Sequence, residues 1–177
     1  MTRSRDPLAN PAPLIRRVYS YVAYRIGEGA EAEDVTSDVF ERALRYRDSY
    51  DSSRGQPLAW LLGIARRSID DARLRRPQLA DVHDLDHASA EDLEGSAVRR
   101  LSLASAINGL EERDRDLLAL RYGADLSARE IAAVLDLKTN AVEVALHRAR
   151  GRLQTQLRQG EGQEARPRRD PQVETGP

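Results

Sequence analysis

The segment "SAREIAAVLDLKTNAVEVALHRARGRLQ", residues 127–154, constrains the fold more than any other stretch of the chain. Its second part spaces four apolar residues at steps of four, three and four: Val142, Leu146, Ala149 and Leu153. Such steps align side chains on one face of an α-helix. A shorter apolar helix precedes it, and Ser127 followed by Glu130 predicts a capping box at its start. We therefore expect two helices joined by a tight turn, with Leu137 filling the gap between them.

The outward face of the second helix is basic. The apolar stripe leaves Asn140, Val144, His147 and Gly151 facing away from the core. Between Lys138 and Arg158 there are five Lys or Arg against one acid, Glu143. The DNA major groove admits such a helix, and local positive charge favours phosphate, so the pattern indicates a DNA-binding helix-turn-helix. The alternative is an antiparallel helix pair with a solvated basic face.

The rest of the chain also has helical periodicity and gives no strand signal, so we expect an all-α fold of two small helical domains. In the first domain, helices are predicted at about 13–26 and 31–47, and a third helix begins after Pro57 and ends in the sequence "RLRRP". In the second domain, helices are predicted at 97–108, 111–121, 127–135 and 139–158. The expected organisation is a loose N-terminal arm (1–12), a three-helix domain (13–76), a flexible acidic linker (77–95), a helix-turn-helix domain (96–158) and a disordered tail (159–177).

Composition excludes several classes of function. The 177-residue chain has no cysteine, which excludes disulfides, Cys-bound zinc and thiol chemistry. It contains no apolar run of membrane-spanning length and no signal-peptide core, so we expect a cytoplasmic protein without membrane insertion. Three histidines, no glycine-rich phosphate loop and no metal-spaced ligand set indicate that it is not an enzyme and needs no cofactor.

Three stretches together resemble a known family: "AEDVTSDVFERAL", "AWLLGIARRSIDDARLRR" and "INGLEERDRDLLALRYGADLSAREIAAVLDLKTNAVEVALHRARGRL". In order and spacing they resemble the extracytoplasmic-function group of bacterial sigma-70 factors. The resemblance implies a transcription initiation subunit that binds core RNA polymerase, recognises the −10 and −35 promoter elements and helps to open the DNA. It also implies an anti-sigma factor as a further partner.

The resemblance places the surface that binds core polymerase on the second helix. The matching residues are Glu33, Asp34, Asp38, Val39 and Glu41. Ser37 stands where the family often has Gln. The alternative interpretation of the charges is that Asp38 with Arg42, and Glu41 with Arg45, form ordinary i,i+4 pairs on a solvated face.

The −10 surface of the family corresponds to the loop at 46–57 and the helix that follows. Aromatic and basic groups there suit an unstacked base and a single strand. The matching residues are Tyr46, Tyr50, Arg54, Arg66, Arg67, Arg73, Arg75 and Arg76. Arg67 stands where the family often has Asn near the flipped base. Trp60 is in phase with Ile64, which predicts a core position. The acidic linker resembles the family segment that threads through polymerase, with a plain solvated tether as the alternative.

The −35 reader departs from the family pattern. Ala141, Glu143, Val144 and Ala145 stand where members commonly have Thr, a basic residue, a small polar residue and Arg. Phosphate anchoring is then expected from Ser127, Arg129, Lys138, Thr139, Arg148 and Arg150. Base reading is expected from Asn140, Glu143, Val144 and His147. The competing function is a helix-turn-helix regulator in which residues 13–76 sense a signal or dimerise.

Overall fold

The computed structural model describes residues 6–75 and 94–164, and every regular element in those ranges is helical. The first range contains α1 (Pro11–Ile26), α2 (Ala30–Arg45), a 3₁₀ turn (Arg47–Ser49) and α3 (Pro57–Arg75). The second contains α4 (Glu94–Asn108), α5 (Glu112–Leu118), a π-helical segment (Ala119–Gly123), α6 (Ala128–Leu135) and α7 (Thr139–Glu164). The expected all-α fold is confirmed.

Local sequence explains where the N-terminal helices begin and end. Proline in the first turn of α1 has its φ preset for a helix, and its missing N–H would lack a helical partner there anyway. Between α1 and α2, Gly27 and Gly29 have φ of 97° and 113°, which only glycine adopts without strain. The apolar stripes of the three helices then meet in a buried core that includes Val22, Val39 and Leu61.

The helix-turn-helix has the predicted boundaries at its turn. Ser127 accepts a hydrogen bond from the Glu130 backbone N–H, and the Glu130 carboxylate accepts one from the Ser127 N–H, as the capping box requires. Asp136 ends α6 in the left-handed conformation, with φ of 54°. The expected role of Leu137 is wrong, because its side chain is 42% exposed instead of filling the gap between the helices. Helix α7 continues to Glu164, so residues 159–164 extend it beyond the expected Arg158.

The helices of residues 6–75 form a first module and those of residues 94–164 form a second, and the two modules pack directly against one another. Val18, Tyr21 and Val22 of α1 belong to the same buried cluster as Leu117 and Leu120 of the second module. The approach is close at Gly123, where a Cβ atom would lie 2.8 Å from the backbone oxygen of Ser20. The two predicted helical domains are thus in contact, and the larger of two buried clusters includes residues from both of them.

None of the helices in the described ranges is long and apolar enough to cross a membrane.

Removing the capping box should destabilise the second module. Ser127→Ala deletes the hydroxyl that accepts from the Glu130 N–H, so we expect a loss of about 1 kcal/mol in the free energy of unfolding. Chemical denaturation followed by circular dichroism would measure the change. Ser127→Thr keeps the hydroxyl and should stay within about 0.5 kcal/mol of the parent protein. Equal losses for the two variants would contradict the capping role.

Candidate nucleic-acid interface

The exposed face of α7 gathers most of the predicted −35 residues. The apolar stripe of the helix faces inward, with Val142, Leu146 and Ala149 buried and Leu153 half-buried. Opposite it, Val144 is 44% exposed. The other predicted −35 residues are exposed as well: Ser127, Arg129, Lys138, Thr139, Asn140, Glu143, His147, Arg148 and Arg150. The helix therefore presents a polar, largely basic surface that could enter a groove of DNA.

A shallow groove beside the start of α7 adds a residue that the sequence did not single out. Arg113 of α5 lines this groove together with Lys138 and Arg148. Its floor includes Ala141, Val144 and Ala145, which are small or apolar. No local pattern around Arg113 predicted this position, because only the packing of α5 against α7 brings it there. The three cations together make a concave, positively charged site of a kind that suits phosphate.

Ser127 has a structural role that competes with DNA binding. Its hydroxyl donates to the Glu130 carboxylate at 2.6 Å while accepting from the Glu130 backbone N–H at 3.3 Å. The hydrogen bonds from the Ser127 hydroxyl and backbone lower the pKa of Glu130. The hydroxyl is thus already engaged within the cap, and the neighbouring exposed Arg129 is better placed to reach phosphate.

The described −10 candidates differ in exposure: most are exposed or half-exposed, and one is buried. Tyr46 is 54% exposed, and Arg54, Arg67 and Arg75 are also exposed. Tyr50 does not lie on the predicted exposed surface. It is only 7% exposed, and its hydroxyl donates to the Gly55 carbonyl at 2.9 Å. A base cannot stack on a ring that is packed inside. Arg76 lies outside the described residues, as does the linker from 77 to 93.

Trp60 occupies the core position that its spacing predicted. Its side chain packs against the buried cluster of the protein. The centroids of the Tyr50 and Trp60 rings are 5.5 Å apart and the planes are tilted by 56°, a normal geometry for an aromatic pair in a protein core. This pair therefore anchors the loop between α2 and α3, and leaves Tyr46 and Arg54 on its exposed side.

Two of the predicted −10 arginines contact carboxylates of the second module. Arg66 Nε lies 3.2 Å from Asp116 Oδ2, and Arg73 Nη1 pairs with Glu112 Oε1. Both carboxylates belong to α5. No local sequence pattern indicates either acid as a partner, since each is separated from its arginine by tens of residues.

A buried network surrounds the Asp116 carboxylate. The Tyr21 hydroxyl donates to Asp116 Oδ1 at 2.6 Å, and Arg25 Nη1 donates to the same oxygen. Arg25 is 4% exposed, and its Nη2 also lies 2.7 Å from Glu112 Oε1. Burial, with the neighbouring Asp116 charge, raises the pKa of the Tyr21 phenol far above its usual range. Arg17 makes a further contact between the modules: its guanidinium donates to the Ala124 and Asp125 carbonyl oxygens at 2.7 and 2.9 Å.

The predicted polymerase-binding residues lie along α2, with one correction. Glu33, Asp34 and Glu41 are exposed. Val39 is fully buried and contributes to the core, so its side chain is not on a polymerase-facing surface. Asp38 pairs with Arg42 at 3.0 Å, as the alternative interpretation of the charges expected.

Arg42 also connects α2 to α3. Its Nη1 lies 2.7 Å from Asp71 Oδ2. The hydrogen bond to Asp71 is the main cause that raises the pKa of the Arg42 guanidinium, and the bond to Asp38 adds to it. Asp38 therefore belongs to a small ionic bridge between two helices of the first module.

A three-helix module packed on a helix-turn-helix with an exposed basic helix is the architecture of a DNA-binding transcription protein. Comparison with known proteins agrees. The profile of Sigma-70 region 2 matches residues 13–78, and that of Sigma-70, region 4 matches residues 100–153. These matches, with 32% identity to an ECF sigma factor that the chain covers to 76%, show that the chain belongs to the extracytoplasmic-function (ECF) group of the sigma-70 family of RNA polymerase sigma factors.

Individual relatives support this assignment. The ECF RNA polymerase sigma factor SigD of Mycobacterium tuberculosis is 32% identical over 171 residues, and the match covers 86% of this chain and 76% of SigD. The ECF sigma factor BldN of Streptomyces coelicolor is 31% identical over 140 residues, which cover 75% of this chain. That match spans only 53% of BldN, so the chain corresponds to about half of that relative.

A solved structure has the same fold. The sigma factor RpoE of Bartonella quintana, in complex with the anti-sigma factor NepR, superposes with a TM-score of 0.65 at 20% identity. The superposition covers 82% of this chain and 92% of RpoE. Membership of the family places the chain with polymerase-associated initiation factors. The competing interpretation, a helix-turn-helix regulator acting apart from polymerase, is not favoured.

The buried Tyr21 phenol should make stability depend on pH in alkaline solution. The unfolded phenol has its usual pKa of 10.0, whereas the folded one is higher. Above pH 10.0 the unfolded chain loses a proton that the folded chain keeps, so the free energy of unfolding falls as pH rises. Tyr21→Phe should make this fall less steep by up to about 1.4 kcal/mol per pH unit.

Urea denaturation at a series of alkaline pH values would measure the two slopes. Tyr21 lies between the modules, so the same experiment reports whether they are packed together in solution. Identical slopes for the parent protein and Tyr21→Phe would contradict the buried position of this phenol.

Proposed function

We propose that the first module binds core RNA polymerase and the −10 element, while the second module binds the −35 element. The chain would thereby direct polymerase to specific promoters and assist DNA opening, without catalysing a reaction itself. One observation carries the proposal: the predicted −35 residues share the exposed surface of α6 and α7 while the apolar stripe of α7 is buried. As part of the same proposal, the chain acts in the cytoplasm together with polymerase.

The −35 element is read by the first turns of α7. Lys138, Arg148 and Arg113 line one groove and hold the DNA backbone through phosphate contacts, which fix position without reading sequence. Glu143 accepts a hydrogen bond from a cytosine amino group, and Val144 contacts a thymine methyl group. Asn140 and His147 flank them on the exposed face. Because these residues differ from the family pattern, the preferred −35 sequence differs as well.

The −10 element is bound by α3 and the loop that precedes it. Tyr46 and Arg54 are exposed on the loop, while Arg67 and Arg75 are exposed on α3. An exposed aromatic ring can stack with an unpaired base, and arginines can follow the backbone of a single strand. Arg66 and Arg73 join this surface when their contacts with α5 are released.

Polymerase binds the acidic surface of α2. Glu33, Asp34 and Glu41 are exposed there and can meet a basic partner surface. Asp38 contributes less, because its carboxylate already pairs with Arg42. An anti-sigma factor is a further proposed partner. The family resemblance supports it, and the structural neighbour RpoE was solved with one.

Run-off transcription with core polymerase on a library of genomic promoter fragments tests the function directly. We expect initiation at a defined set of promoters that depends on addition of the chain. Co-purification with core polymerase should accompany it. A chain that neither associates with core polymerase nor directs initiation at any defined position would contradict the proposal.

Removing a phosphate contact should weaken −35 binding and its dependence on salt. Arg148→Ala removes one cation from the groove, so the slope of log affinity against log salt should decrease by about 1. The matched control is Arg158→Ala, which removes an exposed arginine from the same helix further from the turn. Fluorescence anisotropy with duplex promoter DNA at several salt concentrations measures both. Equal effects of the two substitutions would argue against a specific role for Arg148.

Reversing the charge at Glu143 should change which −35 sequence is preferred. Glu143→Lys replaces an acceptor with a donor, so preference should move from cytosine towards guanine at the contacted position. The control is Gln154→Lys, which adds the same lysine at an exposed position further along α7. Selection from a randomised −35 library measures the preference. An unchanged preference in Glu143→Lys would exclude base reading by this residue.

A further inference from the structure

The sequence contains a single lysine, and it lines the groove beside the start of α7. Of the 28 lysine and arginine residues, only Lys138 is a lysine. Lys138 directly precedes α7, and its carbonyl oxygen accepts a hydrogen bond from the Val142 N–H at 3.1 Å. Its side chain is exposed. The only side-chain amine of the chain therefore lies on the surface that we propose for contact with the −35 element.

Two arginines line the same groove, and its floor is small and apolar. Arg113 comes from α5 and Arg148 from α7, and the cavity has a volume of about 420 Å³. None of these three cationic side chains has an ion-pair or hydrogen-bond partner in the part of the chain that the structure describes. Arg152, by contrast, is paired with Asp114. The groove thus combines uncompensated positive charge with an apolar surface.

We propose that Lys138 is a site of acylation by small acyl phosphates, and that this modification weakens −35 binding. The two parts of such a donor suit two parts of the groove. Arg113 and Arg148 bind its phosphate through their planar arrays of N–H donors, while the apolar floor accommodates a short acyl chain. The effect on DNA rests on the proposed −35 role of Lys138, whereas the acylation itself does not.

The reaction transfers an acyl group from a phosphate oxygen to the lysine nitrogen. The Lys138 ammonium first releases one proton to water, and the neutral amine attacks the carbonyl carbon of the donor. The N–C bond forms as the C–O bond to phosphate breaks, and the departing phosphate takes up the second proton of the amine. Binding the donor beside the amine accelerates this step, because the two reactants no longer have to meet by diffusion.

The modification changes one cation of the DNA-facing surface and leaves the others intact. The guanidinium of arginine stays protonated in proteins and does not serve as the nucleophile, so Lys138 is the only basic side chain that can react in this way. Acylation keeps the side chain but removes its charge. The groove then attracts a DNA phosphate less strongly, and fewer counterions are released when DNA binds.

Treatment of the full chain with acetyl phosphate tests the site. Peptide mass spectrometry over time gives the position and rate of acetylation. We expect Lys138 to react at least about tenfold faster than the lysine of a synthetic peptide "DLKTNAV", which has the sequence of residues 136–142. The peptide has the same neighbours in sequence but lacks Arg113 and Arg148, so the difference measures the contribution of the groove.

Substitutions of single arginines separate the groove from general surface charge. Arg113→Gln and Arg148→Gln should each lower the rate at Lys138 towards that of the peptide, because each removes a donor to the phosphate. The matched control is Arg158→Gln, which removes an exposed arginine of α7 that does not line the groove, and it should react like the parent chain. A small acetyl thioester without phosphate should acetylate the folded chain and the peptide at similar rates.

Fluorescence anisotropy with a short labelled DNA duplex of mixed sequence measures the consequence for DNA. This probe is sufficient because phosphate contacts do not depend on base sequence. At about 0.1 M salt the acetylated chain should bind roughly five- to tenfold more weakly than the untreated chain, and the slope of log affinity against log salt should decrease by about 1. Lys138→Gln, which carries a neutral amide, should bind like the acetylated chain.

Moving the lysine tests whether its position in the groove matters. Lys138→Arg with Gln154→Lys places the only lysine at an exposed position further along α7, outside the groove. The moved lysine should react with acetyl phosphate at the rate of the peptide. Its acetylation should leave duplex affinity at the value measured for the same variant before treatment.

Acetylation of Lys138 at the rate of the peptide overturns the proposal, as do equal effects of Arg148→Gln and Arg158→Gln on that rate. A thioester that shows the same preference for the folded chain also contradicts the phosphate-binding role of the groove. Unchanged duplex affinity after complete acetylation overturns the proposed effect on DNA. Run-off transcription with the untreated chain tests the promoter function separately. Normal initiation together with peptide-like acetylation refutes only this inference.

Discussion

The arrangement of the two modules depends on one buried carboxylate. Asp116 accepts hydrogen bonds from the Tyr21 hydroxyl and from Arg25, and it pairs with Arg66. A buried charge is tolerated only when it is well paired, and its partners here all come from the other module. Apolar contact between α1 and the π-helical segment, with its close approach at Gly123, stabilises the packing of the modules. The geometry around Asp116 adds a directional constraint, since small displacements would leave charges buried and unpaired.

Local patterns in the sequence predicted the helices and which side of α7 is exposed. The spacing of Val142, Leu146 and Ala149 fixes which side of α7 is buried, and the opposite side follows from the period of the helix. The same reasoning explains Val39. It lies in an apolar row with Val35 and Ala43, and this row correctly indicates burial, whereas the family resemblance implied a polymerase contact. At this position helical periodicity was the better guide.

Features that depend on long-range packing could not be predicted. Arg25 and Asp116 are 91 residues apart in sequence, and no local pattern distinguishes this pair from the many other charged residues. Tyr50 lies in a loop without a period, so its burial against Trp60 could not be inferred from spacing. Arg113 reaches the groove beside Lys138 only because α5 packs on α7. In each case the partner is supplied by the tertiary fold.

The length of α7 allows a displacement at one end of the second module to reach its other end. Its 26 residues form a continuous rod of about 39 Å, of which only the first turns carry the proposed base-reading side chains. The remaining turns run alongside α4, the first helix after the linker. A stiff rod transmits a tilt at one end to the other. A displacement imposed on the first turns of α7 would thus be felt at α4.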